Sequence, residues 1–400
     1  MLRSLIIFTV IAIALIAAYF WIRVSLAPES IQPEISQPTT PILPSLAPPS
    51  LPEEMVPEGI EKPGETEEAL QIKPVVVYEN PVSDFALSGQ GIYLFDLKEK
   101  KMKLFVDKDT VSDIFESTSP LYFRLASGKL LYWTSIARRL YDLETKKSFS
   151  LKGALAADIV PGTSNVAAHF VDSLKAINEI RLVNVERDTF RTLLTTHFQE
   201  IKLVGLDAGK ILVFEKPSAT VQSALYLLSF DPKNTKSAAS IEPIFPEAPA
   251  LDAIASGDGK FIFVSYLGSR GFLVNALINK TGKVLLRPEF GTTAQKCSFS
   301  ADSSLLVCAH PLNVLNTGNF DAYLRGEVML NSKFSVIDLK NLKPFDFGSQ
   351  YFDFDAEKVA VSLTEGSLYF LNRNDKKLYS FILPTDILVE QKTVTTTLPQ

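Results

Sequence analysis

Apolar residues fall into three regimes along this chain of 400 residues. Leu5 to Ile22 is an apolar run broken by Thr9 alone and without a charge, flanked by Arg3 and Arg23. Between Val24 and Pro74 apolar side chains are scattered among prolines and glutamates, and no aromatic residue occurs. From Val75 onward, short β-branched and aromatic runs alternate with polar turns. That last pattern predicts strands rather than helices, because the runs are short and bounded by Gly, Asp, Asn and Ser. Runs such as Ala224–Phe230 are nearly continuous in apolar residues, which predicts strands covered on both faces.

The turns repeat. An Asp or Asn followed by a Lys-rich stretch recurs as Asp96-Leu97-Lys98-Glu99-Lys100-Lys101, Asp142-Leu143-Glu144-Thr145-Lys146-Lys147 and Asn184-Val185-Glu186-Arg187-Asp188. It continues as Phe230-Asp231-Pro232-Lys233-Asn234, Asn279-Lys280-Thr281-Gly282-Lys283, Asp338-Leu339-Lys340-Asn341 and Asn372-Arg373-Asn374-Asp375-Lys376-Lys377. Upstream of most of these lies a hairpin signal, such as Ser127-Gly128-Lys129, Asp207-Ala208-Gly209-Lys210 or Asp355-Ala356-Glu357-Lys358. A period of roughly 40–50 residues with strands on both sides is the mark of propeller blades. The expectation is an all-β, seven-bladed β-propeller from 75 to 384, with six or eight blades as alternatives. Each blade would run A, hairpin, B, connection, C, Asp/Asn turn, D. The first unit is compressed, so its strand A is placed at Val75–Glu79.

Ser256-Gly257-Asp258-Gly259-Lys260-Phe261-Ile262-Phe263 resembles the Ser-Pro-Asp-Gly-Lys turn of TolB-like and WD-type propeller repeats. Phe299-Ser300-Ala301-Asp302-Ser303-Ser304-Leu305-Leu306 is a more degenerate copy. Leu131-Tyr132-Trp133-Thr134 is similar to a Tyr-Trp-Thr-Asp repeat, with Ser135 in place of the Asp. The resemblance implies a disc with a central channel and mostly interaction functions; Pro is missing from the turn and no Trp-Asp pair ends the blades.

Residues 1–23 are expected to form a transmembrane signal-anchor. Eighteen helical residues rise about 27 Å, close to a hydrocarbon core of ~30 Å. Tyr19 and Trp21 fit an interfacial aromatic belt. Cleavage is the lesser alternative, because the run exceeds an ordinary signal-peptide core and Pro28 follows the best site, Ser25-Leu26-Ala27. Residues 24–74 hold eleven prolines and nine glutamates and are expected to be a disordered linker. Fully extended, it could reach roughly 150 Å. The short N-terminus is placed in the cytoplasm and the propeller outside it, since nothing basic holds the linker inside. Residues 385–400 are expected to be a flexible tail.

The whole chain carries a net charge of −5. The linker and the anchor flanks account for it, leaving the propeller near neutral. No basic field exists to attract nucleic acid.

Catalytic signatures are missing. There is no Gly-x-Ser-x-Gly, His-Glu-x-x-His, Walker loop or Cys-x-x-Cys, and His169, His197 and His310 fall in different units. No cofactor, metal or catalytic residue is expected. Cys297 and Cys308 sit at equal distance from the centre of one hairpin, opposite each other on neighbouring strands. That placement suits a disulfide, while two small buried thiols would fit equally. Asn279-Lys280-Thr281 matches a glycosylation sequon but coincides with a turn, which explains the asparagine.

The B–C connections vary in length. Units three (His169–Asn178) and four (Glu215–Gln222) read as long, and unit six (His310–Gly326) as longest. Long loops on a rigid scaffold often carry binding residues, and Tyr, Phe and Arg are frequent anchors. The candidate binding residues are His310, Phe320, Tyr323 and Arg325, then Asp172 and Lys175. The expected function is a monomeric, membrane-anchored scaffold for an envelope protein or extracellular polymer. The alternative is a propeller hydrolase or lyase with a site at the channel mouth.

Overall fold

The computed structural model describes residues 73–384, except 108, 135–136, 173–176, 235–236 and 347–352. The expected anchor, linker and C-terminal tail lie outside the described residues. Among those described, no helix is long and apolar enough to cross a membrane.

Seven four-stranded antiparallel sheets form the blades of a propeller. Their innermost strands are Val82–Ser88, Tyr122–Ala126, Ala154–Ile159, Ile201–Asp207, Asp252–Ala255, Cys297–Phe299 and Ala356–Ser362, in blades one to seven. Each blade turns both of its faces to neighbours, so the core is not one centre but a series of layers between blades. Phe85, Leu94 and Phe105 of blade one meet Tyr369, Leu371 and Leu378 of blade seven. Phe95 and Met102 meet Phe123 and Tyr132 of blade two. The pattern continues round to Phe334 and Val336 of blade six against Phe370 and Phe381 of blade seven. This is why several strand runs are nearly continuous in apolar residues rather than alternating.

The Asp/Asn repeat is a capping device. The carboxylate of Asp96 accepts the backbone N–H groups of Lys98 and Glu99, at 2.8 Å each. Asp142 does the same with Glu144 and Thr145, and Asp231 with Lys233 and Asn234. Asn279 accepts from Thr281 and Lys283, so the sequon position serves its turn. Four residues after the Asp or Asn, Lys100, Lys146, Asp188, Leu342 and Lys376 all take left-handed backbone, φ 50–58°. The side-chain bond closes the turn and makes that uncommon conformation tolerable for residues with a Cβ.

Ring closure departs from the sequence-based expectation. Val75–Tyr78 is not strand A of blade one but the outermost strand of blade seven, paired antiparallel with Leu378–Ile382. Blade one begins at Val82, and its Asp96 turn joins strands B and C. In blade seven the Asn372 turn also joins B to C, and Lys358–Ser362, expected as strand B, belongs to strand A. Blade seven has only three strands from the C-terminal end of the described chain, and the first strand supplies the fourth. The seven turn motifs therefore count the blades correctly but do not occupy one equivalent position.

Leu383 donates its N–H to Gly366 in the A–B turn of blade seven, and Val75 pairs with Ser380 beside it. Both ends of the described chain thus lie on the face of the A–B hairpins, opposite the B–C connections.

Candidate functional site: the loop face and the central channel

Among the described residues, one B–C connection is long. In blade three, strands Asn165–Asp172 and Ile177–Asn184 pair along their whole length, leaving residues 173–176 to cross. His169 and Asn178, expected in a loop, are strand residues because the hairpin ladder extends past them. Blade four crosses with residues 216–221.

Blade six crosses with residues 312–331. Asn316 and Asn319 shape the turn: Asn316 N–H donates to Asn319 Oδ1 at 2.8 Å, and Gly318 N–H to Asn316 Oδ1 at 2.9 Å. A five-residue helix, Phe320–Leu324, follows. Its apolar side turns down. Phe320, Tyr323, Leu315 and Leu330 form a buried cluster with Ala219, Ala250, Leu267 and Leu273. Its polar side ties the loop sideways: the Asp321 carboxylate accepts Ala219 N–H at 2.9 Å and Ser218 Oγ–H at 3.2 Å. Leu273 N–H donates to Leu315 O, and Thr317 N–H to Gly271 O. On the other flank, the Arg373 guanidinium lies 4.4 Å from the Tyr323 ring centre and donates to the Tyr323 carbonyl. The loop is a plate fixed across blades four to seven.

This changes the role of the expected anchors. Phe320 and Tyr323 are buried, so their rings hold the plate down and present nothing to a partner. His310 lies in strand B rather than the loop; it is buried, stacked 4.7 Å from Phe290, with Nε2 3.0 Å from Ser335 Oγ. Arg325 is exposed and forms a two-pronged pair with Glu327 at 2.6 and 2.8 Å. Asp172 ends strand B of blade three, away from this loop, and Lys175 lies outside the described residues. The loop face also exposes apolar side chains: Leu312 (54%), Met329 (55%) and Phe272 (49%), with Val314.

A central channel of about 1680 Å³ runs between the inner strands. Ion pairs stitch neighbouring blades around it. Lys358 of blade seven pairs with Asp84 of blade one at 2.6 Å, and Lys202 of blade four with Asp252 of blade five at 2.5 Å. Arg124 of blade two pairs with Asp158 of blade three. Deeper, Lys296 of blade six meets Asp355, beside strand A of blade seven, at 2.5 Å, with both groups buried. The carboxylates also accept backbone donors: Asp84 from Phe85 and Phe123, Asp158 from Ile159 and Gly205, and Asp252 from Ala253. Burial nevertheless pushes the carboxyls of Asp84 and Asp158 above the usual range, outweighing the pull of Lys358 and Arg124. His169 also lines the channel. It is buried, neither ring nitrogen has a hydrogen-bond partner, and burial, with the charge of Arg138, lowers its pKa to about 4.

The sequence reading missed these charges. Their only signal is a charged residue inside an otherwise apolar inner strand, as in Leu251-Asp252-Ala253-Ile254-Ala255, and their distance from the hairpin is not constant. Among the described residues, no group of three or more His, Cys, Asp or Glu side chains is placed to hold a metal ion. Cys297 and Cys308 face each other in register and are joined by a disulfide.

No family model matches the chain, and no curated protein does. Among solved structures, the fold is similar to an oligogalacturonate lyase from Vibrio parahaemolyticus, with a TM-score of 0.56 and 10% identity over 80% of this chain and 96% of that one. It is also similar to an oligogalacturonate lyase in complex with manganese (TM-score 0.48, 13% identity, covering 74% of this chain and 84% of that one). The tricorn protease gives a TM-score of 0.37 at 14% identity, covering 73% of this chain and 28% of that one. At such identities the likeness is one of fold: the class is the seven-bladed β-propeller.

Proposed function

We propose that this chain is a membrane-anchored, extracytoplasmic propeller that recruits an envelope protein or extracellular polymer through the face carrying loop 312–331. The observation that carries the reading is the plate itself. Its rings are spent on anchoring it to blades four to seven, and it leaves Leu312, Val314, Met329 and the neighbouring Phe272 exposed. A rigid support beneath exposed apolar groups lowers the ordering cost of binding. The plate also lies opposite the face that carries both ends of the described chain. The apolar run Leu5–Ile22 supports the anchor, and the disulfide suits an oxidising compartment. The Ser256–Lys260 turn supports a kinship with TolB-like or WD-type propellers, whose mostly interaction functions agree with recruitment.

The test is capture by proximity crosslinking in intact membranes. Deleting the loop would strip Leu315, Phe320 and Tyr323 from a buried cluster, so surface substitutions are the sound choice. Leu312→Asp with Met329→Asp should leave the fold intact and cut partner capture at least about tenfold, as loss of an interface centre does. Undiminished capture would sink the reading.

A propeller hydrolase or lyase working at the channel mouth is the second reading. The size of the channel and the ionisable groups lining it favour it. It differs in requiring turnover, and incubation with oligogalacturonate, followed for unsaturated product, separates the two.

A further inference from the structure

We propose that the central channel binds ligands bearing several carboxylate or phosphate groups, through the remaining N–H donors of Arg124, Lys202 and Lys358. The inference concerns a different part of the molecule from the loop face and stands apart from that reading.

The three cations come from blades two, four and seven, and all three line the channel. Their carboxylate partners are sunk into the wall, at 3%, 3% and 8% side-chain exposure, whereas Arg124, Lys202 and Lys358 remain 35%, 32% and 33% exposed. A ligand in the channel therefore meets the cations before the anions. Each lysine ammonium has three donors and gives one to its aspartate; the guanidinium has five and gives one to Asp158. Two ammonium groups are further steadied beside rings: Lys358 by Phe85 and Phe123, at 5.7 and 5.6 Å, and Lys202 by Phe214 at 5.8 Å. Donors held in place before a ligand arrives are what oxyanion recognition needs.

Most of the other charges along the channel are paired with one another. Asp142 is engaged by Lys129 at 2.6 Å, Glu200 by Lys216 at 3.2 Å and Glu357 by Lys376 at 2.5 Å. Glu144, at the exposed Asp142 turn, is the lining carboxylate outside these pairs. Against it stands Arg138, whose side chain donates to the Ala154 carbonyl at 2.7 Å and to no carboxylate among the described residues. His169, fully buried and with both ring nitrogens unpartnered, sits in the wall.

The experiment is calorimetric titration of the full chain, in non-ionic detergent at constant ionic strength, with tripolyphosphate in one arm and citrate in the other. The wild-type chain should bind at least one, and the arm that binds says whether phosphate or carboxylate is the preferred source. Lys202→Met with Lys358→Met should weaken that binding at least about tenfold, while Lys101→Met with Lys233→Met, on the outer surface, should leave it unchanged. Lys202→Arg, which keeps the charge, should retain binding. A second readout needs no variant: the bound anion should protect Lys202 and Lys358 of the wild-type chain from acetylation, read by mass spectrometry. No binding in either arm, equal weakening by the outer-surface pair, or unprotected lysines would overturn the proposal.

Discussion

Individual side chains in this protein act mainly as caps and staples, and Asp142 does both. Its Oδ1 closes the turn through Glu144 and Thr145, while Oδ2 takes the Lys129 ammonium at 2.6 Å. The Lys129 hydrogen bond, followed by the turn N–H groups, holds the Asp142 carboxyl down at about 2. An unfolded aspartate titrates near 3.9. A folded pKa below the unfolded one means that the stabilisation is complete above about pH 4 and disappears as pH falls towards 2. Carbon-detected NMR of the Asp142 carboxyl should show a midpoint near 2, and Lys129→Met should move it up towards the ordinary value. An unmoved midpoint would assign the depression to the turn alone. The repeat of Asp and Asn was legible in the sequence, as turn chemistry is local. The partner of Oδ2 was not, because Lys129 comes from a neighbouring strand.

Among the elements, Val75–Tyr78 has the most leverage for its length. Its four residues complete blade seven, and Tyr78 reaches into blade one, donating its hydroxyl to Asp96 at 2.6 Å and packing edge-on to Phe105. Burial and Asp96 together push the Tyr78 phenol up to about 12. Tyr78→Ala removes a ring from the seam and one partner of a fully buried carboxylate. A loss of about 2–4 kcal/mol is expected from urea unfolding. Hydrogen exchange should show the loosening first in Val75–Tyr78 and Leu378–Ile382; a loosening confined to other blades would contradict this seam. The plate at 312–331 teaches the same lesson from the other side. Its length was visible in the sequence, and so were Phe320, Tyr323 and Arg325. Which of them faces inward depends on blades four, five and seven, far away in sequence.

The propeller is a closed ring with apolar layers between blades and, among the described residues, ion pairs spanning four of the seams. Lys296 and Asp355 form the most buried of these pairs, with the Lys296 ammonium also 5.2 Å from the Tyr323 ring centre. Burial lowers the Lys296 pKa even against the attraction of Asp355. Removing one member leaves the other charged and unpaired in the interior, so Lys296→Met should cost about 3–5 kcal/mol in thermal or urea unfolding. Lys296→Met combined with Asp355→Leu should recover part of that loss, because no lone charge remains. A double variant no better than the single one would show that Asp355 matters chiefly through its other bond, to the Leu330 N–H at the edge of the plate.

By itself, the sequence determined the class of secondary structure, a repeat of seven turn motifs and the chemistry of the turns. These depend on apolar run length and on Asp, Asn and Gly at short spacing, and both are local properties. It also placed Cys297 opposite Cys308, since a hairpin's register follows from its own loop. Tertiary structure decided which strand closes the ring, which loop residues are buried, and which charges meet across the channel. Those outcomes join residues as far apart as Asp84 and Lys358. No local preference records such a pairing; it exists only once the seventh blade has come round to the first.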